Sequence, residues 1–137
     1  MTQTIGTRAM IRTAATIALF AIAPVFAFAE GAITRTELSR ADVPGSDTHE
    51  VIVARLEIEP GATVPRHTHH GDEHLVVITG GTMQTGGGKQ IPFPDGMAAH
   101  FPQGEPHGGL TNVGDTVMIA ITTHVVEKGK PLNVPVE

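Results

Sequence analysis

Four histidines fall between positions 67 and 74, and two of them are spaced for chemistry. His67 and His69 are two residues apart, so on an extended segment both side chains leave the same face. Their Cβ atoms would then stand about 6–7 Å apart, a span that two imidazoles can close onto one ion. Glu73 has the same parity. If the chain reverses at His70-Gly71-Asp72 and resumes as a strand, the Glu73 carboxylate returns to the same interior. Two imidazoles and a carboxylate on one face are a usual site for a first-row divalent metal. The same residues also fit a polar loop at a barrel rim, and spacing alone leaves both readings open.

These side chains need strands to hold them. Residues 50–58 alternate, with Ile52, Ala54, Leu56 and Ile58 on one face and Arg55 and Glu57 on the other, which predicts a half-buried strand ended by Pro60-Gly61. Thr63 to His69 reads as a short extended piece. Leu75 to Thr79 is apolar on both faces and reads as a strand covered on both sides, stopped by Gly80-Gly81. Thr82 to Gln84 and Lys89 to Phe93 flank Gly86-Gly87-Gly88 as a hairpin. Met97 to Phe101 and Val117 to Thr123 complete the strands, and the tail from Gly129 shows no usable pattern. No window carries a sustained helical period, so short strands punctuated by Gly and Pro predict an all-β sandwich or barrel.

Composition narrows the class. Residues 1–29 hold Arg8 and Arg12 but no acid, then an uncharged run from Ala14 ending in Ala27-Phe28-Ala29. This is the layout of a secretory signal peptide cleaved before Glu30, which implies a periplasmic or secreted protein. The remaining single domain, 30–137, holds all 14 acids and 7 of the 9 basic residues, a net charge of −7 with His neutral. An acidic chain with scattered charges has no electrostatic reason to bind nucleic acid or, once the leader is cleaved, an anionic membrane. There is no cysteine, so packing alone must stabilise the domain. Phe93 and Phe101 are its only aromatic residues outside histidine, so the core must be Val, Ile, Leu and Met.

The motifs resemble a family. Gly61, five residues, His67-Thr68-His69, three residues, Glu73, six residues and Gly80 resemble the first cupin motif. Gly96, five residues, Pro102-Gln103-Gly104, two residues, His107 and then Asn112 resemble the second, after a gap of fifteen residues from Gly81 to Asp95. One position departs from the pattern: Gly108-Gly109-Leu110-Thr111 puts four residues, not three, between the histidine and the asparagine. The extra residue is expected in a bulge that glycine permits. The resemblance implies a double-stranded β-helix (jelly-roll) barrel with one divalent transition metal inside, held by His67, His69, Glu73 and His107. Manganese, iron, cobalt, nickel, copper and zinc all suit such donors. Acquisition outside the cytoplasm favours Mn, Zn, Cu or Ni over easily oxidised Fe(II).

Four protein ligands on an octahedral ion leave two positions open, as catalysis requires. The expected function is a metal-dependent, dioxygenase-like oxidoreductase acting on a small molecule, with Glu73 as ligand and proton acceptor. A metal-dependent lyase or isomerase and a non-catalytic binder of a metal or small metabolite are the alternatives. His100 is expected to reach the pocket as a catalytic proton-transfer group, with Gln84 a further polar candidate. His74 should point outward with Val76 and Ile78, an apolar face that suggests a covering strand or a subunit contact, and the resemblance implies a homodimer. His70, His49 and His124 are expected at the surface, and Met83, Met97 and Met118 in the core. The scarcity of aromatic residues favours a small oxygen-bearing or aliphatic ligand.

Overall fold

The computed structural model describes residues 31–137, so the expected signal peptide lies outside the described residues. Among these residues the chain is all-β, as expected, with no helix. Its eleven strands are β1 (Ile33–Asp42), β2 (His49–Ile58), β3 (Thr63–Val64), β4 (His67–Thr68), β5 (Gly71–Thr79), β6 (Gly81–Thr85), β7 (Gln90–Phe93), β8 (Ala98–Phe101), β9 (Leu110–Asn112), β10 (Met118–Glu127) and β11 (Val134–Pro135). They form a five-stranded sheet in the order β1-β2-β10-β5-β8, a four-stranded sheet β3-β9-β6-β7, and the small pair β11-β4. All pairings are antiparallel. This is the double-sheet barrel that the resemblance implied.

Alternation drives the packing. Along β2 the buried residues are Ile52, Ala54, Leu56 and Ile58, and along β10 they are Met118, Ala120, Thr122, His124 and Val126. Between the sheets, Leu56, Ile58, Leu75, Val77, Met83, Met118 and Ala120 form one cluster, with Val64, Phe93, Met97, Phe101 and Leu110 packed on it. Met83 and Met118 are core, as expected, while Met97 is only partly buried against it. Asn112, fully buried, donates through Nδ2 to the carbonyls of Ile58 and Thr116 and accepts from Gly114 N–H, so it satisfies strand ends rather than the site.

Four expectations need correction. First, β1 has no apolar alternation, yet it is a ten-residue edge strand paired along β2, because backbone hydrogen bonds do not require an apolar face. Second, the tail is not patternless: Val134 and Pro135 pair with Thr68 and His67. Third, Leu75–Thr79 is covered on only one face, since Val76 and Ile78 remain 43% and 49% exposed. Fourth, the last strong strand runs on to Glu127 rather than Thr123, which moves His124 from a strand end to its interior.

Candidate metal centre

The two motifs meet backbone to backbone. His67 N–H donates to His107 C=O and His107 N–H returns to His67 C=O, each at 2.9 Å. Two glycines make the approach possible. Gly108 has φ +82° and Gly109 φ +68°, but the expected bulge does not form: Val64 pairs with Leu110 and His67 with His107, with two residues between on each side, so the register is continuous. A Cβ on Gly108 would lie 2.4 Å from the Pro65 carbonyl oxygen. Gly71 has a different role: a Cβ there would meet Val125 O at 2.0 Å, so only glycine lets β5 start this close to β10. That start fixes parity, and Glu73 turns inward.

His67, His69, Glu73 and His107 are brought together, each offering one donor atom, with these atoms all within 4.8 Å of one another. The first three are buried, and His107 borders the cavity. Glu73 Oε2 lies 2.9 Å from both His69 Nε2 and His107 Nε2, and these two nitrogens are 3.1 Å apart. Each ring is held from behind by a backbone carbonyl on Nδ1. Pro65 O takes His67 at 2.7 Å, Leu132 O takes His69 at 2.5 Å, and Glu105 O takes His107 at 2.9 Å. An Nδ1–H that donates outward leaves the Nε2 lone pair facing in. Three inward lone pairs and a carboxylate repel one another unless a cation sits among them, so the donor set fits a divalent metal.

Electrostatics agree. Burial pushes Glu73 up, but hydrogen bonds from His107 and His69, with the nearby His124, outweigh it and hold the carboxyl well below its usual range. Burial pushes His67 below its ordinary value, against the pull of the Pro65 carbonyl. Burial also acts downward on His107, but the Glu73 hydrogen bond and the Glu105 carbonyl win and raise it. A cation among the donors would compete with these contacts for Glu73 and for the histidine Nε2 atoms.

Above the donors lies a cavity of about 300 Å³. Leu56, Ile58, Leu75, Met83, Phe93 and Met118 give it apolar walls, while His67, Glu73, His107 and Arg35 supply polar groups. Phe101 stacks on the His107 ring with centroids 4.2 Å apart and planes 10° from parallel, fixing that imidazole from its open side.

The expected catalytic role of His100 is not supported. Its ring is on the outer face, stacked on His74 at 4.5 Å and 3.2 Å from Asp72 Oδ2, because its register partner on β5 is the outward His74. Gln84 does not line the cavity either; its Oε1 faces Gln90 Nε2 at 3.5 Å. His70 is partly buried rather than fully solvated.

Two site residues escaped sequence reasoning. His124 is not a surface residue but has no solvent exposure at all. It pairs in register with Glu73, places Nε2 3.6 Å from Glu73 Oε1, and finds no hydrogen-bond partner for either nitrogen among the described residues. Burial holds it down to about 4, against the pull of Glu73, so it is neutral at neutral pH. Its parity with Met118, Ala120 and Thr122 was the available signal. Arg35 is the other: β1 carries it to the cavity, opposite Leu56.

A model of the cupin domain matches residues 54–124, which include all four expected donors. Auxin-binding protein ABP19b of Prunus persica is 35% identical over 86 residues, 58% of this chain and 41% of that protein. The chain thus spans about two-fifths of the length of that curated relative. Among solved structures, a cupin domain from Bordetella pertussis Tohama I aligns with a TM-score of 0.53 at 20% identity, covering 72% of this chain and 98% of that one. The polyketide cyclase RemF of Streptomyces resistomycificus aligns at 0.55 and 22% identity, covering 79% and 75%. The DMSP lyase DddQ of Ruegeria pomeroyi DSS-3 aligns at 0.54 and 18%, covering 75% and 51%. At these identities the structural likeness establishes the fold and nothing finer.

Proposed function

Because the chain belongs to the cupin domain family, we propose that it is a metal-dependent, dioxygenase-like oxidoreductase acting on a small molecule. The observation that carries this reading is the junction of a converging donor set with a cavity of about 300 Å³ above it. A structural metal would be closed in by protein; here the donors face a space at the small end of ligand sites, which run roughly 300–1,000 Å³. When bound, a divalent transition metal supplies Lewis-acid and redox chemistry. The chain's own residues do the rest. His67, His69 and His107 present Nε2, oriented by three carbonyls, and Glu73 presents a carboxylate kept ionised by its histidine partners. Among the described residues its Oε1 has one polar neighbour, the uncharged ring of His124, so it is the oxygen free to accept a proton from a ligand. The apolar walls exclude water from that atom.

The same ligand set supports lyase or isomerase chemistry. Binding without turnover has one observation in its favour: the Prunus persica relative is a binding protein by name. With His100 outside, Glu73 is the one carboxylate that lines the cavity among the described residues. The reading includes export, since residues 1–29 have the composition of a cleaved leader, and a homodimer formed through the outward face of β5.

Elemental analysis of the protein from its native compartment, beside a His67→Ala/His107→Ala variant, is the test. About one metal per chain in the parent, none in a folded variant, and oxygen uptake with a small ligand is the expected result. Zinc as the only metal, with no oxygen uptake, would redirect the assignment to lyase or isomerase chemistry. A folded parent without metal would refute it.

A further inference from the structure

Arg35 is out of keeping with its surroundings. It lines a cavity whose walls are mostly Leu, Ile, Met and Phe, and it is partly buried there. A guanidinium carries five N–H donors. Among the described residues its side chain makes one hydrogen bond, from Nη1 to Thr122 Oγ1 at a long 3.3 Å, and no carboxylate lies within salt-bridge distance. Glu73 is the acid on the cavity wall, and its Oε2 is already committed to His69 and His107. The Thr122 hydroxyl is itself fully buried on β10, two residues before His124, so Arg35 is aimed along the cavity wall toward the donor set rather than out to water.

Charge balance sharpens the point. Glu73 and Arg35 cancel when no cation is present. A divalent ion among the donors would leave two net positive charges facing an apolar cavity. Uncompensated buried charge is costly, and a ligand that brings an anion removes that cost. A surface arginine needs no such partner; one set into an apolar wall does.

We propose that Arg35 is the ligand-recognition residue of this site, and that the cavity selects small aliphatic carboxylates. The carboxylate takes the guanidinium fork, and the apolar body lies against Leu56, Met83, Phe93 and Met118. Arginine suits this role because its planar fork matches a carboxylate with two parallel hydrogen bonds, which lysine cannot reproduce. The inference rests on the ligand-binding reading of the cavity given above and names the class of molecule that enters it.

Calorimetric titration of the folded protein with hexanoate and with its neutral match hexanamide tests this, with and without added Zn²⁺. Hexanoate is expected to bind the parent more tightly than hexanamide. In Arg35→Gln the preference should fall roughly 10- to 100-fold, the loss of a charge-assisted pair, with hexanamide, which gives up only a neutral hydrogen bond, weakened far less than hexanoate. Arg35→Lys should fall between the two, and thermal melts check that both variants fold. The preference ratio is the readout, because general damage to the fold would weaken both probes together. A ratio unchanged by Arg35→Gln, or no hexanoate binding up to about 10 mM by folded parent protein, overturns the proposal. Failure of the metal reading is seen separately: the parent would then hold no metal, yet the Arg35-dependent ratio would persist without Zn²⁺.

Discussion

Replacing His124 with leucine should stabilise the metal-free protein, most of all in acid. The neutral imidazole holds two buried nitrogens without partners among the described residues, and an unmet buried polar group costs about 1–3 kcal/mol. Leucine removes both. Against this stand an imperfect fit, about 1 kcal/mol, and the loss of the edge contact between the His124 and His69 rings, whose centroids are 4.7 Å apart, worth about 1 kcal/mol. The net expectation is a gain of about 1–2 kcal/mol at pH 7. The pH dependence follows from the depressed basicity. The unfolded ring takes a proton near its ordinary value of 6.5, whereas in the folded protein burial holds it at about 4. Across that window the unfolded state binds more protons, so the parent loses stability as pH falls from 6.5 toward 4. At 1.36 kcal/mol per unit this amounts to about 3 kcal/mol. The His67 shift acts in the same direction and the His107 shift in the opposite one. The variant lacks the His124 contribution, so its advantage should widen to about 4 kcal/mol near pH 4.5. Urea unfolding of metal-free parent and variant at pH 7 and pH 4.5 measures both numbers. A variant less stable than the parent at pH 7, or one whose advantage does not grow in acid, would refute the reasoning and mean that His124 is hydrogen-bonded in the folded protein.

Gly108→Ala should cost at least about 2 kcal/mol, since an L residue at φ +82° is strained and the new Cβ would press on the Pro65 carbonyl. It should also loosen metal binding, because that carbonyl orients His67; chemical denaturation and metal titration of one sample separate the two effects. Val76→Glu with Ile78→Glu on the outer face of β5 should leave the chain folded, with thermal stability lowered only by what association contributes to the parent. The pair should convert a dimer to a monomer in light scattering; an unchanged dimer would place the interface elsewhere.

Much of this barrel was legible in the chain. Alternation located β2, glycine and proline marked the turns, and parity put His67, His69 and Glu73 on one interior before any partner strand was known. These are local properties: two-residue periodicity and the conformational habits of glycine need no tertiary information. The cupin resemblance contributed His107, while the bulge expected at the two glycines after it did not form, because the register runs unshifted from Val64–Leu110 to His67–His107.

The remainder depended on which strands become neighbours. Arg35 reaches the cavity because β1 pairs with β2, and an edge strand recruited through its backbone leaves no apolar pattern to read. His124 faces Glu73 because β10 runs beside β5 in one particular register, and a strand cut short at Thr123 conceals that inward parity. Its neighbour across the site, His69, is oriented by Leu132 O from a tail whose sequence carries no signal for that contact. His100 shows the reverse case, a chemically able residue turned outward by its pairing with His74. Residue types and spacing determined which groups could bind a metal. Pairing between distant strands, made by long-range backbone hydrogen bonds that a linear reading cannot see, decided which groups surround that donor set and which charged side chain lines the cavity beside it.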